Sequence, residues 1–397
     1  MKKLLFLGAS WGQMSPLWHV QKNKDIEIYT ADSQLTNPGH KLAVKSFNIS
    51  SADTPLLRTA VKENGIDCVF CYASDVGQAS ATILSKELGN FFNPLIAVET
   101  LINKYLFKDL LNQHEIQTTF LKKISSNDLL QEEHLQEILE NLPLVSKPIL
   151  GSGSKGVRFI YGKSDLSKIR ESFEYSDHVI LESYLKKEGS QICGDGFFQN
   201  GKLLNFTTGD GLFYEEHELQ IPYAESFPST HAEKIIHTAK DKVEEILRLS
   251  GFVRGNINFD IIVCLGEPYI IEIAPRPGGN FIPEVIKQHN GIDLIDAFIQ
   301  NAMDENYIFN QEIAANNFVS SYMIHSLEEG IIEKIFIDER LKPYIIQEHL
   351  FNGSGDKVRA FKQGSDAIGN IQMMFPTQEL QIEMMSSINN LIQIQLQ

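Results

Sequence analysis

Two acidic residues on neighbouring apolar runs constrain the fold more than any other feature of this sequence. Asp260 lies in the run 256–264 and Glu272 in the run 269–276, with a short turn around Gly266 between them. Two apolar runs joined by such a turn are typical of a β-hairpin. A turn centred on Gly266 puts Asp260 directly opposite Glu272 in antiparallel pairing, about 5 Å away.

This pair of acids predicts a metal site. Two carboxylates so close repel each other in a half-buried sheet, and a divalent cation such as Mg²⁺, which prefers oxygen ligands, turns that repulsion into binding. Arg276 follows the second run and precedes Gly278 and Gly279, whose backbone can approach a ligand closely. Two acids and a guanidinium together predict a polyphosphate site. The alternative is that each acid pairs with a nearby Lys or Arg at a solvated strand end.

Composition excludes several classes of protein. The chain has 397 residues, of which 43% are hydrophobic and 22% charged, as in a globular protein of two or three domains. Its formal net charge of −16 argues against a nucleic-acid-binding surface, which is normally basic. No apolar run approaches the roughly 20 residues that a membrane-spanning helix needs. We therefore expect no nucleic-acid partner, no membrane partner and a cytoplasmic location.

The four cysteines form no disulfide framework, which fits a reducing compartment. Cys68 and Cys71 have the spacing of a redox pair, but they lie in the apolar, strand-like run 66–72. A reactive thiolate is usually stabilised at a helix N-terminus, and residues three apart on a strand face opposite sides. The spacing is therefore interpreted as core packing.

The pattern of elements predicts three regions. Residues 1–93 alternate strand and helix, which predicts a parallel sheet covered by helices. The middle of the chain mixes helices with strands around glycine loops, and short strands with turns follow from about residue 311. Strands are predicted at 3–7, 26–30, 68–72, 144–149, 157–161, 179–182, 191–198, 203–206, 318–324, 331–337, 358–361 and 368–374. Helices are predicted at 54–64, 77–88, 97–113, 127–141, 231–250, 282–304 and 377–395.

Residues 151–156 carry the spacing G-x-G-x-x-G. A dinucleotide site requires a helix directly after these glycines, but residues 157–161 are β-branched and aromatic and predict a strand. A nicotinamide-dependent dehydrogenase is therefore a poor interpretation. A glycine loop between two strands can instead fold its amides over phosphates, with Lys147 close enough to reach them. A plain mobile hairpin is the alternative.

Glu182, at the end of the strand 179–182, could accept a hydrogen bond from the amino group of a nucleobase, although alone it is an ordinary strand end. Lys104 and Lys108 begin a helix and alone suggest only a solvated surface. The order of these features along the chain is more informative than any one of them. It resembles the ATP-grasp superfamily of carboxylate–amine ligases, most specifically over 258–279, and the resemblance extends from residue 1 to about 310.

Within that superfamily the chain is most similar to the branch with biotin carboxylase and the L-amino-acid ligases. Residues 30–39 and 73–75 resemble the N-terminal domain of that branch. The resemblance implies a combined α/β and α+β fold. It consists of a Rossmann-like pre-ATP-grasp domain at 1–93, a two-lobed ATP-grasp domain at 94–310 with a flexible lid at about 143–208, and a C-terminal α+β closing domain at 311–397.

The resemblance also implies site residues, position by position. Asp260 and Glu272 would bind Mg²⁺, with Mn²⁺ as an alternative ion, and Arg276 would be catalytic, by holding the substrate carboxylate or stabilising the acyl-phosphate transition state. The ATP ligands would comprise two phosphate lysines, the glycine flap, an adenine pocket and a ribose contact: Lys104, Lys147, Ser152, Gly153, Ser154, Gly156, Glu182, Tyr184, Leu185, Glu188, Gln191 and Ile262.

Two positions depart from the family pattern. Ala274 stands where many relatives carry an Asn two residues after the second metal acid, which leaves one coordination position to water or phosphate. Gln191 stands near the ribose position, where a Glu is common. The motifs leave the substrate pocket open, and its candidates come from the loops 210–228 and 276–284. These candidates are Tyr214, Glu215, Tyr223, Arg276 and Asn280.

The resemblance implies an ADP-forming ligase that activates a carboxylate as an acyl-phosphate and joins it to an amine, on an amino acid and with ATP as co-substrate. A carboxylase that activates bicarbonate is the first alternative, and a nucleotide-binding module without turnover is the second. The implied partners are small molecules, and relatives that are dimers imply a homodimer here. The sequence leaves the substrates and the pathway undefined.

Overall fold

The structure is a computed structural model, and it describes residues 1–151, 153–214 and 221–397. Within these ranges the strands form four sheets. None of the helices in these ranges is long and apolar enough to cross a membrane.

The N-terminal region is a parallel sheet of four strands in the order β3-β2-β1-β4, as the alternating pattern predicts. Its cysteines confirm the core interpretation, because Cys68 and Cys71 are each 3% exposed and belong to hydrophobic clusters on opposite faces of the sheet. The strands are β1 (Lys2–Leu7), β2 (Ile26–Ala31), β3 (Lys45–Phe47) and β4 (Cys68–Phe70), and the helices are α1 (Met14–Gln21), α2 (Thr54–Asn64) and α3 (Gln78–Leu88).

The helix predicted at 97–113 is two helices, α4 (Leu95–Ile102) and α5 (Lys104–Gln113). Asn103 separates them, because its backbone is extended and its side chain accepts hydrogen bonds from the first free amides of α5. Asn is a preferred residue at this N-terminal position, where it satisfies amides that have no partner within the helix. The break places Lys104 in the first turn of α5, beside the glycine loop.

A second sheet carries the glycine loop, in the strand order β5-β8-β6-β7. It occupies residues 121–183, whereas the lid implied by the resemblance was 143–208, and residues from Gln191 onward pair in a different sheet. The extent of the lid stays a prediction. The elements are β5 (Leu121–Ser125), α6 (Glu132–Glu140), β6 (Leu144–Pro148), β7 (Arg158–Ile160), α7 (Ile169–Ser172) and β8 (His178–Ser183).

The largest sheet is antiparallel and has eight strands in the order β13-β12-β9-β10-β11-β14-β18-β16. Helix α8 packs its apolar side against this sheet in the largest hydrophobic cluster. The strands are β9 (Gln191–Gln199), β10 (Lys202–Leu212), β11 (Ala224–Phe227), β12 (Arg254–Cys264), β13 (Glu267–Ala274), β14 (Phe318–Ile324), β16 (Ile345–Leu350) and β18 (Gly369–Phe375), and the helices are α8 (Glu233–Ser250), α9 (Ile282–Asn290) and α10 (Leu294–Met303). The predicted helix 282–304 is divided into α9 and α10 at Gly291, whose φ of +86° ends α9.

The C-terminal region contributes three strands to this large sheet and three to a small one, β17-β15-β19. The prediction of one helix over 377–395 was wrong at its end, because Ile392, Ile394 and Leu396 alternate with glutamines in a strand pattern. The remaining elements are β15 (Gly330–Ile337), β17 (Lys357–Val358), α11 (Gln378–Ser386), α12 (Ile388–Leu391) and β19 (Ile392–Leu396). The division into three domains stays a prediction.

Candidate active site

The hairpin of β12 and β13 confirms the predicted pairing of Asp260 with Glu272, and it does so through a β-bulge. The turn consists of Leu265 and Gly266, both with positive φ (54° and 73°). Cys264 therefore pairs with Glu267 directly next to the turn. After Ile261 the pairing shifts by one residue. Without this shift the two acids would point to opposite faces of the sheet, because side chains alternate along a strand.

The negative charge of Glu272 disfavours the charged form of Asp260 in this structure. Burial, and then the charge of Glu272, raise the pKa of Asp260 to about 6. Gln191 donates a hydrogen bond of 2.8 Å to Asp260 Oδ1, and Lys104 Nζ lies 3.7 Å from Glu272 Oε2. Asp260 is therefore held by a neutral amide rather than by a cation of its own.

The pair fits a magnesium ion that is completed by other oxygens. Among the residues that the structure describes, no group of three or more His, Cys, Asp and Glu side chains is arranged to hold a metal. Mg²⁺ in nucleotide sites is commonly bound by one or two carboxylates, with phosphates and water as the other ligands. Asp260 and Glu272 supply such a set, and a cation between them would offset the repulsion that raises the pKa of Asp260.

Glu182 lies between two lysines beside the acid pair. Its carboxylate is 3.3 Å from Lys108 Nζ and 2.5 Å from Lys147 Nζ, and the residue is only 5% exposed. Burial alone would raise the pKa of Glu182, but the two ammonium groups outweigh burial and lower it to about 2. Burial also lowers the pKa of Lys108, which donates to Ile270 O on β13. The sequence interpretation gave Lys108 no role, because a lysine on a helix is usually solvated.

The glycine loop joins β6 to β7, which confirms that a strand follows it and excludes a dinucleotide site there. Its backbone needs positive φ at Gly151 (118°) and Gly153 (68°), and Ser154 also adopts it (56°). Lys104 Nζ donates a hydrogen bond of 2.6 Å to Gly151 O, so the loop is tied to the start of α5. The predicted flap residue Ser152 lies outside the described residues.

A cavity of about 540 Å³ lies between the sheet that carries the glycine loop and the eight-stranded sheet, called the central sheet below. This volume is in the range of small-molecule sites. The cavity brings together most of the ligands that the resemblance implied, from the adenine side to the metal side: Lys104, Lys147, Gly153, Ser154, Glu182, Tyr184, Leu185, Gln191, Asp260, Ile262 and Glu272.

Three residues of the predicted site are not among those that line this cavity: Gly156, Glu188 and Arg276. Gly156 accepts a hydrogen bond from Ser172 Oγ at the base of the loop. Both carboxylate oxygens of Glu188 accept backbone amides of the β12–β13 turn, at 3.0 and 2.9 Å. Glu188 therefore fixes the hairpin in this structure, and its predicted contact with a ribose stays a prediction.

Arg276 is engaged by an acid from the N-terminal region. Its Nε and Nη2 donate to the two oxygens of Asp75 at 2.7 and 3.1 Å, and Nη1 donates to Pro277 O. Burial would lower the pKa of Arg276, but Asp75 more than compensates and raises it. The acid and the guanidinium are 201 positions apart, and sequence reasoning did not connect them. The catalytic role of Arg276 stays a prediction.

Candidate substrate residues also line the cavity. Tyr214 and Asn280 belong to its lining together with Ile221 and Pro222. The Tyr214 hydroxyl lies 2.7 Å from His325 Nε2, which ties this wall to the C-terminal region. Tyr223 packs its ring against Tyr214, with a centroid distance of 4.7 Å. The candidate Glu215 lies outside the described residues.

Residues 101–280 match the family model of the ATP-grasp domain. This range contains the glycine loop, the lysines and the acid pair. The predicted fold is confirmed by its similarity to solved structures over the whole chain.

Known proteins with this fold have different reactions. The D-alanine–D-alanine ligase A of Bacillus cereus is 24% identical over 225 residues, which are 52% of this chain and 67% of that protein. Among solved structures, the L-amino acid ligase of Bacillus licheniformis has a TM-score of 0.84 at 16% identity and covers 100% of this chain and 99% of its own. The biotin carboxylase domain of the Hydrogenobacter thermophilus 2-oxoglutarate carboxylase, with MgADP and bicarbonate, has a TM-score of 0.77 at 16% identity, covering 100% and 91%. For other curated relatives the matched part is as little as 34% of their length.

Proposed function

We propose that this protein is an ATP- and Mg²⁺-dependent ligase that joins a carboxylate to an amine, with an amino acid as the carboxylate substrate. The observation that carries this proposal is the bulged pairing of Asp260 with Glu272 on the wall of a cavity that also contains Lys104, Lys147 and the glycine loop. Metal ligands, cations for the phosphates and a glycine loop beside them are the parts that phosphoryl transfer needs in one place.

Asp260 and Glu272 would hold the magnesium ion, which supplies charge neutralisation at the phosphate oxygens. Lys104 and Lys147 present ammonium groups to the same space, and Glu182 fixes the position of Lys147 through its ion pair. The amides of the glycine loop cover the phosphates and exclude water, which would otherwise hydrolyse the activated intermediate.

The reaction would run in two steps. The substrate carboxylate attacks the γ-phosphorus of ATP, a new P–O bond forms, and the bond to the bridging oxygen breaks, with its electron pair leaving on ADP. The amine then attacks the acyl carbon and forms the amide bond. Phosphate leaves with the electrons of the broken C–O bond and takes up the proton that the amine loses. No covalent enzyme intermediate is required.

The lining of the cavity supports an organic substrate beside the nucleotide. Tyr214, Ile221, Pro222 and Asn280 belong to the lining in addition to the acid pair. These side chains offer apolar and hydrogen-bonding surface. The names of two relatives, an L-amino acid ligase and a D-alanine–D-alanine ligase, agree with an amino acid as substrate.

The test is a screen of ADP and phosphate release with ATP and Mg²⁺, in which amino acids are supplied singly and in pairs. We expect release that requires an amino acid, and a requirement for two would indicate dipeptide synthesis. Release that requires bicarbonate and ignores amino acids would replace the proposal with the carboxylase alternative. Nucleotide binding without release across the panel would leave only a binding module.

The same assay tests the metal pair. Asp260→Asn and Glu272→Gln should each lower kcat at least about a hundredfold, by analogy with the loss of other electrostatic stabilisers of a transition state. Glu267→Gln is the matched control, because Glu267 is exposed at the other end of the same strand. Near-normal ADP release by either site variant would refute the assignment.

A further inference from the structure

Asn280 lies beside a strained residue on the wall of the cavity, and the proposed chemistry leaves it unused. Asn280 and Phe281 both have positive φ, at 52° and 63°, a conformation that Asn tolerates but that a bulky residue such as Phe rarely adopts. The ring of Phe281 is held by stacking against His349 at 5.0 Å, and Ser321 Oγ donates to Asn280 O. Backbone strain of this kind persists where the surrounding structure enforces it, and it concentrates at binding sites.

A buried carboxylate fixes the orientation of the Asn280 amide. Asn280 Nδ2 donates a hydrogen bond of 3.0 Å to Glu225 Oε1, and Glu225 is only 1% exposed. In this structure the amide nitrogen therefore faces Glu225 and the amide oxygen faces away. Asn280 Oδ1 lies towards Gly364, which also lines the cavity. A Cβ atom at position 364 would be 3.6 Å from this oxygen. Within the described ranges no hydrogen-bond donor reaches this oxygen.

The surroundings of this acceptor favour a positive ligand. Glu225 on β11 points to the same face of the central sheet as Asp260 on β12 and Asp195 on β9, as the register across β9 and β10 shows. Burial raises the pKa of Glu225 to about 8, with further contributions from Asp260 and Asp195. The Oε2 atom of Glu225 is buried and has no hydrogen-bond partner among the described residues. A cation near Asn280 Oδ1 would offset this concentration of acids.

We propose that Asn280, oriented by Glu225, binds the ammonium group of the amino acid whose carboxylate is phosphorylated. Asn280 is then a specificity-determining residue and Glu225 a positioning residue. This inference rests on the proposed function and adds to it a way to distinguish amino acids from carboxylic acids without a charged nitrogen.

The arrangement also determines which nitrogen acts as the nucleophile in the second step. β11 and β12 are separated by β9 and β10, three steps of ~4.8 Å across the sheet, so the ammonium subsite and the metal pair lie at different parts of one cavity. A substrate between them presents its carboxylate to the phosphate, and its ammonium group donates a hydrogen bond to the side-chain oxygen of Asn280. The nitrogen stays protonated there, because a hydrogen-bond acceptor and acidic neighbours favour the charged form. It is therefore not a nucleophile, and the amine for the second step must come from another molecule.

The experiment compares the amino acid that turns over best with the carboxylic acid that lacks its amino group. Asn280→Gly removes the amide without backbone strain, since glycine accepts a φ of 52°. Asn200→Gly is the matched control, because Asn200 has a φ of 54° but is exposed in the β9–β10 turn. We expect Asn280→Gly to raise KM for the amino acid about 10- to 100-fold, the effect of one hydrogen bond to a charged group. The KM of the analogue and of ATP should change less than about threefold.

Glu225→Gln provides a second, conservative variant. The new amide can donate to Asn280 Oδ1, which allows the Asn280 side chain to rotate and present its nitrogen to the cavity. This variant should therefore also lose preference for the amino acid while it keeps the KM of ATP.

Unchanged discrimination in Asn280→Gly would overturn the inference and leave the ligase proposal intact. An equal loss for both substrates would also overturn it, since that result would indicate a purely structural role. If wild-type protein releases no ADP with any amino acid, the proposed function fails and this inference fails with it.

Discussion

The buried carboxylate of Glu182 allows a quantitative test of how Lys108 and Lys147 are held. Glu182→Gln keeps the size of the side chain and removes its charge, so that Lys108 and Lys147 would lie together with no counter-charge between them. Removal of one member of a buried ion pair is strongly destabilising, because it leaves an uncompensated charge in a region of low dielectric.

The magnitude follows from the pKa of Glu182. The two lysines outweigh the effect of burial and bring that pKa from 4.5 to about 2. At 1.36 kcal/mol for each pKa unit, the folded structure favours the charged carboxylate by ~3 kcal/mol, a value within the range measured when buried pairs are broken. Because the folded pKa is lowered, this contribution is fully present above pH 4.5 and is lost as the pH falls towards 2.

Native-state hydrogen exchange is the appropriate assay, because it measures local opening free energies. Amides of β6 and β8, the strands that carry Lys147 and Glu182, should exchange ~100-fold faster in Glu182→Gln at pH 7, which corresponds to ~3 kcal/mol. Amides of β1 and β2 in the N-terminal sheet serve as an internal control and should be unaffected. In wild-type protein the protection of β6 and β8 should decrease below pH 4.5, and the variant should lack this dependence.

A double-mutant cycle identifies the cause. Lys108→Met in the Glu182→Gln background removes one of the two uncompensated charges, and it should restore part of the lost protection. Exchange in Glu182→Gln within about fivefold of wild type would refute the reasoning. So would strictly additive effects of the two substitutions, since these would show that the side chains do not interact.

Three further predictions concern the metal pair, the lysines and the sheet. Burial and Glu272 raise the pKa of Asp260 to about 6. Mg²⁺ affinity measured by calorimetry should therefore fall about tenfold from pH 7 to pH 5, because the carboxylate gains a proton. A constant affinity would contradict this prediction. Lys147→Met should weaken ATP binding at least about tenfold by loss of a charged hydrogen bond, and an unchanged dissociation constant would exclude its phosphate role. Gly194→Ala should lower the melting temperature, because its Cβ would lie 2.0 Å from Thr207 O, whereas Gly12→Ala, with no neighbouring atom within 4 Å, should not.

The sequence predicted best where local signals decide the structure. Helix α2 has the predicted bounds 54–64, because Asp53 accepts the amide of Leu56 at its start and Gly65, with a φ of 62°, ends it. The acid pair was also found, because an apolar hairpin with a glycine turn is a short-range pattern. The ATP-grasp assignment depended on the order of several such motifs rather than on any one of them.

The remaining features depend on contacts between distant parts of the chain. Glu188 or Gln191 was predicted near the ribose, and Glu188 accepts amides of the β12–β13 turn, 77 and 78 positions away. Arg276 pairs with Asp75, which lies in the loop after β4. A single sequence contains no information on which distant side chains meet. The strands β5 and β11 were missed because each pairs with a strand far along the chain, β8 and β14 respectively.

The β-bulge between Asp260 and Glu272 makes the proposed metal site depend on the number of residues in the hairpin as much as on their identity. Insertion or deletion of one residue between the acids would turn one carboxylate into the hydrophobic interior and leave a single carboxylate facing the cavity. The tip is exposed, with Leu265 82% accessible, so its side chains can change within what positive φ allows while its length stays constant. Among descendants of this gene, we therefore expect the spacing of the two acids to persist longer than the residues that separate them.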